Sequence, residues 1–153
     1  MPESNTPRDQ AIDFYVTEFG VDREWLETLS YYQRSDEIWA TSAGAIPPLA
    51  SPRLPGLRIL RRAPGGLKPT SVFLSFLGER ITARRVSVDL ETLRALLLGQ
   101  WVSANATDGY VAIVHSGDVF GCGRVRDNRM RALIPTGRRR ELLNALSFSA
   151  TQK

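Results

Sequence analysis

Arginine is the most abundant residue type in this sequence whose side chain could bind a charged ligand. Eighteen of its 20 cationic residues are Arg. A guanidinium grips a phosphate group with two hydrogen bonds and can also stack on a nucleobase. The composition therefore predicts contacts with a nucleic-acid backbone. The residues expected to make them are Lys68, Arg84, Arg85, Arg124, Arg138, Arg139 and Arg140.

The local settings of these cations differ. The run Arg138–Arg140 points in more than one direction, so at least two side chains should reach solvent, either to contact phosphate or as a merely solvated charge run. Lys68 is expected on a loop beside a helix N-terminus, a favourable phosphate position. Arg84 and Arg85 are adjacent in an expected strand, so at most one of them can point toward a shared ligand.

Charge is divided unevenly along the chain. Residues 51–153 hold 17 Lys and Arg against 7 Asp and Glu, a net charge of +10, whereas residues 1–50 hold 3 against 9, a net charge of −6. Heavy use of arginine codons would explain the ratio of Arg to Lys but not the segregation of the acids. A basic half of this kind favours RNA or DNA as the partner.

The sequence argues against catalysis. It has neither a Walker-type phosphate loop nor a GxGxxG motif after a strand. With one His and one Cys it offers no metal set, and His115 and Cys122 are expected to be ordinary packing residues. We therefore expect a non-enzymatic protein with no catalytic residue, no metal and no cofactor.

The single cysteine permits no internal disulfide and suits a reducing compartment. The first ten residues lack the layout of a signal peptide, and no apolar run approaches the roughly 18 residues of a membrane span. These features favour a cytoplasmic protein without a membrane partner.

Apolar spacing and capping residues predict a helix-led first half. Ile46–Pro55, with four prolines, should be irregular, and the strand Leu57–Arg62 should present cations on one face. The other elements expected here are a helix at Arg8–Phe19, a short helix capped by Asp22, strands at Ser30–Gln33 and Glu37–Thr41, and a helix at Pro69–Leu77.

The second half alternates as strands do, apart from two helices. Asp89 should cap a helix that runs to Leu98 and stops at Gly99. The remaining expected elements are strands at Ile81–Val88, Tyr110–His115, Val119–Val125 and Arg129–Ile134, and a final amphipathic turn or helix at Arg138–Leu146.

Aromatic residues and glycines leave alternatives open. Tyr31, Tyr32, Trp39, Trp101 and Tyr110 can stack on unpaired bases, although core packing is favoured for Trp101. The spacing of Phe14, Phe19, Trp25, Phe73 and Phe76 places them in cores. Gly121 and Gly123 mark either a barrel corner or a close approach of an RNA backbone.

Four segments of the second half resemble the PUA-like RNA-binding domain: Gly109–Val114, Gly121–Val125, Leu133–Pro135 and the basic run Arg138–Arg140. Versions of this domain close RNA 5-methylcytosine methyltransferases of the Sun family and follow a pre-PUA module in ribosome-biogenesis factors. The resemblance spans about Gly56–Arg140, includes Gly66–Thr70, and implies a small β-barrel-like fold with one helix that binds structured tRNA or rRNA. The chain lacks the catalytic body of the Sun-type enzymes, and Cys122 follows Gly121 rather than the Pro or Thr that precedes their cysteine.

We therefore expect an α+β chain in which an N-terminal α/β pre-PUA-like module, residues 1–79, precedes a small PUA-like β-barrel with one main helix, residues 80–153. Its expected function is non-catalytic binding of rRNA or tRNA in RNA modification or ribosome biogenesis. An RNA methyltransferase or ribosome-assembly factor is the expected protein partner. The alternative is a protein-interaction adaptor, an accessory subunit of an RNA methyltransferase with a degenerate PUA domain.

Overall fold

The computed structural model of the chain describes residues 6–42 and 56–151, with side chains as far as 147. Helix α1, Pro7–Phe19, is capped by the Thr6 hydroxyl, which accepts from the Asp9 amide, and it ends at Gly20 in a left-handed conformation. Helix α2, Arg23–Glu27, is capped by Asp22. Both helices are confirmed. The segment Ile46–Pro55, predicted to be irregular, lies outside the described residues.

Four antiparallel strands form the first sheet in the order of the chain. They are β1 (Ser30–Arg34), β2 (Glu37–Thr41), β3 (Leu57–Ala63) and β4 (Gly66–Pro69). Strand β3 is bulged, since the register passes from the Ile38–Leu60 pair to the Trp39–Arg58 pair and leaves Ile59 over. The predicted strands are confirmed, and β4 is an addition to them.

The segment between the sheets differs from the prediction. Pro69 belongs to β4, and helix α3 is the shorter Ser71–Leu77, with Thr70 as its cap. A 3-10 helix, Gly78–Arg80, follows, and Arg84 takes a positive φ of 61°. Because this backbone conformation is incompatible with a strand, the predicted strand Ile81–Val88 shrinks to β5, Arg85–Ser87.

The second sheet has five strands and curls into a half-barrel. Its order is β5, β7 (Gly109–His115), β8 (Asp118–Arg126), β9 (Arg129–Ala132) and β6 (Val102–Ser103), with β5 parallel to β7 and the other pairs antiparallel. The short strand β6 was not predicted, and β9 ends before the predicted Ile134. Helix α4, Leu90–Leu97, starts at its predicted cap Asp89, and α5 spans Thr136–Thr151.

Two apolar clusters hold the chain together. One lies between the second sheet, α4 and α5. The other joins the first sheet and α1–α3 to one face of the second sheet, where it includes Ala112, Val114, Val119 and Cys122. The Ser71 hydroxyl strengthens this junction, because it donates to the Leu133 carbonyl at 3.2 Å and accepts from the Cys122 amide at 2.9 Å.

The chain is therefore α+β with a small barrel-like second half, as predicted. The expected division between residues 79 and 80 falls within the 3-10 helix that separates the two sheets. The division of the chain into two modules at this point stays a prediction. Among the described residues, no helix is both long and apolar enough to cross a membrane.

Candidate nucleic-acid interface

Two of the predicted contact residues hold the backbone instead of facing outward. The Arg84 guanidinium donates to the carbonyls of Thr107, at 2.8 Å, and Tyr110, at 3.1 Å. Arg85 donates to the carbonyls of Gly78 and Ile81, both at 3.1 Å. Arg84 precedes β5 and is not in a strand, so the expected opposition of the two side chains across one strand is wrong.

The three arginines at the start of α5 have different roles. Arg138 and Arg140 are exposed, as expected for at least two of the run. Arg138 forms an ion pair with Glu141 at 3.1 Å. Arg139 is half-buried and donates to the Leu97 carbonyl at the end of α4, at 3.3 Å. Because cations and donors satisfy the open carbonyls of a helix C-terminus, Arg139 is better suited to linking α5 to α4 than to contacting a ligand.

Lys68 lies in β4, directly opposite Arg61 of β3, and not on the predicted loop. It lines a cleft of about 600 Å³ between the first sheet, α3 and the segment that leads into α5, together with Arg58, Arg61 and Arg138. We call this space the inter-sheet cleft. The sequence therefore identified two of its four cations.

The bulge in β3 explains why the other two converge there. Strict alternation would put Arg58 and Arg61 on opposite faces of the sheet. Ile59 and Leu60 are instead both fully buried, and Arg58 and Arg61 are both exposed. An extra residue in a strand shifts the alternation by one, so both arginines come to one face, as predicted for this strand.

Arg124, the remaining predicted residue, belongs to a second basic surface. Arg124 and Arg126 lie two residues apart on β8, and they pair across the ladder with Arg131 and Arg129 of β9. All four side chains are exposed. We call these four residues the arginine block. Arg124 does not line the inter-sheet cleft, so it lies apart from Lys68 and Arg138.

Two aromatic rings flank the arginine block. The Trp101 ring centre is 5.7 Å from the Arg129 guanidinium and 5.4 Å from that of Arg131. The Tyr110 ring centre is 5.6 Å from the Arg124 guanidinium. Trp101 is 40% exposed, so the core packing favoured from its sequence position is wrong.

Some of the other predictions for aromatic residues are confirmed and others are wrong. Tyr32 is buried and stacks on Trp39 with ring centres 6.2 Å apart, which removes it from a base-stacking surface. Phe19 and Phe73 are buried as predicted, but Phe76 is 59% exposed. Its ring lies 6.4 Å from that of Trp25.

The arginine block has an unfavourable electrostatic arrangement of its own. In the described part of the chain, none of its four side chains forms an ion pair with a carboxylate. Like charges directly opposite each other across a ladder are destabilising, and the block contains two such pairs. Departures from favourable local pairing are expected at functional sites.

Sheet geometry explains how the block remains open. Ala112 and Cys122 form a cross-strand pair whose side chains pack into the core shared with the first sheet. Two residues further along the same face, the pair is Tyr110 and Arg124. The same sheet face is thus covered by the first half of the chain at one end and carries the arginine block at the other.

The two glycines of β8 serve packing. Gly121 and Gly123 are buried. A Cβ atom on Gly121 would lie 2.6 Å from Ile134 and 2.9 Å from the Ser71 hydroxyl oxygen, and one on Gly123 would lie 3.0 Å from Ile113. The close approach is therefore to the protein's own side chains and not to an RNA backbone.

The two candidate nucleophilic groups lie apart. Burial raises the pKa of the Cys122 thiol to about 12, so the sulfur is protonated at neutral pH. Cys122 lies opposite Ala112 of β7, whereas His115 lies three residues further along β7, opposite Asp118. The His115 Nδ1 atom is 2.9 Å from the Val88 carbonyl oxygen. Among the residues that the structure describes, no group of three or more His, Cys, Asp or Glu side chains is arranged to hold a metal ion.

No protein-family model matches the chain, and no curated protein matches it. Among solved structures it is similar to the crystal structure of hypothetical protein PH0734.1 from the hyperthermophilic archaeon Pyrococcus horikoshii OT3. The TM-score is 0.53 at 14% sequence identity, over 88% of this chain and 92% of that chain. At this identity the similarity shows a common fold and nothing about function.

Proposed function

We propose that this chain is a non-catalytic RNA-binding protein of PUA type, and that the arginine block is its RNA contact surface. The proposal rests on two cross-strand pairs of arginines between β8 and β9. All four side chains are exposed, and none has a carboxylate partner in the described residues. A polyanion relieves this repulsion because phosphates take the place of the missing acidic partners.

The aromatic rings favour RNA with unpaired bases over a regular duplex. Sequence-tolerant binding of single strands combines a positively charged track with side chains on which bases stack. Trp101 and Tyr110 supply flat surfaces at two sides of the arginine block. Unstacked bases are most common in the loops, bulges and ends of structured RNA, so rRNA or tRNA is the proposed ligand class.

The PUA resemblance supports the same surface. Its main segments, Gly109–Val114 and Gly121–Val125, lie in β7 and β8, the strands that carry Tyr110 and Arg124. We place the protein in rRNA processing or tRNA modification in the cytoplasm. An RNA methyltransferase or a ribosome-assembly factor would act on the RNA that this chain holds.

An adaptor function is the second candidate. It is favoured by α3, whose Val72 is 48% exposed and whose Phe76 is 59% exposed, one helical turn apart. In this case the N-terminal module, residues 1–79, would dock a methyltransferase as its accessory subunit, and the PUA-like half would contribute no RNA affinity. The two candidates differ in whether the isolated chain binds RNA.

The test is a titration of a structured tRNA and an rRNA fragment with three forms of the full chain. Arg124→Ala with Arg131→Ala removes two charges from the arginine block. Arg23→Ala with Arg34→Ala removes two exposed charges from the first half and serves as the matched control. We expect the block variant to bind at least tenfold more weakly, or about 1.4 kcal/mol, and the control to change less than twofold. Equal losses in both variants, or none in either, would contradict the proposed surface.

A further inference from the structure

The inter-sheet cleft is a concave site separate from the arginine block. We propose that it binds a single nucleotide, either a free nucleoside monophosphate or the terminal nucleotide of an RNA chain. The phosphate would meet the cations of the β3–β4 face, and the base would lie against the apolar walls. The cleft shares no residue with the arginine block, so nucleotide binding there would be a further function beside RNA binding by the block.

The size of the cleft suits a small ligand. Its volume is about 600 Å³, within the roughly 300–1,000 Å³ typical of ligand sites. Val72, Phe120, Leu133 and Pro135 are among its lining residues. Such sites combine mostly apolar walls with a few convergent polar groups. A flat base with one anionic end matches this division.

The cations converge from separate parts of the chain. The β3 bulge brings Arg58 and Arg61 to one face, and Lys68 lies opposite Arg61 on the neighbouring strand. Arg138 enters from the first turn of α5. Side chains directly opposite each other on neighbouring strands have Cβ atoms about 5 Å apart, which lets Arg61 and Lys68 contact the same phosphate.

Lys68 is the member that most needs a ligand. Three of the cations have acidic neighbours: Arg58 pairs with Glu37 at 2.6 Å, Arg138 with Glu141 at 3.1 Å, and Arg61 loosely with Asp36 at 3.8 Å. Lys68 is half-buried and has no ion pair with any carboxylate in the described ranges. An ammonium among guanidinium groups is stabilised by an added anion, and the paired arginines retain N–H donors for the same anion.

The ligand class is tested with the full chain by isothermal titration calorimetry. The probes are the four ribonucleoside 5′-monophosphates, the matching nucleosides and inorganic phosphate. We expect at least one monophosphate to bind at least tenfold more tightly than its nucleoside and than phosphate alone. Two further probes are a short RNA with a terminal phosphate and the same RNA without it. A preference for the phosphorylated end with weak mononucleotide binding would assign the cleft to RNA ends. The reverse would assign it to free nucleotides.

The site is tested with two variants at one position. Lys68→Met keeps the apolar stem and removes the charge, and we expect it to weaken monophosphate or RNA-end binding at least tenfold. Lys68→Arg keeps the charge and should retain affinity within about threefold. If Lys68→Met has shifted its unfolding transition, Arg61→Ala is used in its place, with the same expected loss.

Three results would overturn the inference. The first is nucleotide binding that neither Lys68→Met nor Arg61→Ala weakens. The second is no binding of any nucleotide or RNA end at millimolar concentration. The third is tighter binding of an acidic peptide than of any nucleotide probe. The arginine-block variant Arg124→Ala with Arg131→Ala separates this inference from the proposed function, because it should leave mononucleotide binding intact. RNA binding that depends on Arg124 and Arg131 but not on Lys68 would remove the cleft site and leave the RNA-binding proposal in place.

Discussion

Reversing the charge of Arg126 should raise the stability of the protein while lowering its affinity for RNA. Arg126 is exposed and lies directly opposite Arg129. No aromatic ring lies over its guanidinium among the described residues, in contrast to Arg124, Arg129 and Arg131. Arg126→Glu therefore turns one repulsive cross-strand pair into an attractive one and disturbs no other described contact.

The stability change follows from the cross-strand pair. Forming an opposite-charge pair should contribute about 0.2–1 kcal/mol, and removing the like-charge repulsion acts in the same direction. An exposed ion pair adds little beyond this range because solvent screens it. We expect the free energy of unfolding to rise by about 0.5–1 kcal/mol, measured as a higher denaturant midpoint at an unchanged m-value.

The affinity change follows from counterion release. One lost phosphate contact lowers log K by about 0.7 times the logarithm of the inverse salt concentration, which is about fourfold at roughly 0.15 M. A glutamate also repels the phosphate, so the total loss should reach about tenfold, or about 1.4 kcal/mol. Arg34→Glu, an exposed reversal on β1 in the other sheet, is the matched control and should change affinity less than twofold.

Opposite signs for the two quantities would show that the arginine block is kept for binding and not for stability. The reasoning would be refuted by a less stable Arg126→Glu protein, because the arginines would then support each other through contacts that the pairing does not reveal. It would equally be refuted by a more stable variant with unchanged RNA affinity.

Three further predictions concern single side chains. Trp101→Ala should weaken RNA binding by about 1–3 kcal/mol through lost base stacking, measured by fluorescence anisotropy of a labelled RNA, whereas an unchanged affinity would exclude stacking at this ring. Arg139→Ala should lower the free energy of unfolding by about 1–3 kcal/mol because the Leu97 carbonyl loses its charged donor. The control is Arg140→Ala, an exposed neighbour, which should change the free energy of unfolding by less than about 0.5 kcal/mol. Equal effects of the two substitutions would contradict a structural role for Arg139. Burial raises the pKa of Cys122 from 9.0 to about 12, so the unfolded chain releases this proton first. Stability should therefore fall between pH 9 and pH 10 by up to about 1.4 kcal/mol per pH unit, and above that range Tyr15 and Tyr31, whose pKa values burial also raises, add to the fall. An equally steep fall in Cys122→Ala between pH 9 and pH 10, measured by denaturation at several pH values, would contradict this cause.

Most of the helices and strands could be predicted because their signals are local. Asp22 and Asp89 cap the helices that follow them, and Gly20 ends α1. The prediction of a strand at Ile81–Val88 was wrong because the positive φ of Arg84 depends on distant partners. Its guanidinium is held by the carbonyls of Thr107 and Tyr110, more than twenty residues away. Such tertiary contacts leave no trace in the spacing of apolar residues.

Part of the candidate interface could have been predicted from the sequence. A two-residue turn at Asp127 and Asn128 fixes the register of β8 against β9. Alternation then requires Arg124 and Arg126 to share a face with Arg129 and Arg131, so this signal could have identified all four. For the inter-sheet cleft, the sequence predicted that the strand Leu57–Arg62 presents cations on one face, but it did not predict the bulge at Ile59 that brings Arg58 and Arg61 together.

The salt dependence of RNA binding by the unaltered protein tests the central claim most directly. Four arginines that each displace counterions at about 0.7–0.9 per contact should give a slope of log K against log salt near −3. Titrations of one structured RNA at several salt concentrations, at fixed pH and temperature, measure this slope. A slope near −3 that falls by about 1.5 in Arg124→Ala with Arg131→Ala is the predicted result. A slope near zero would contradict the account, because phosphate contacts by the arginine block would then contribute nothing to binding.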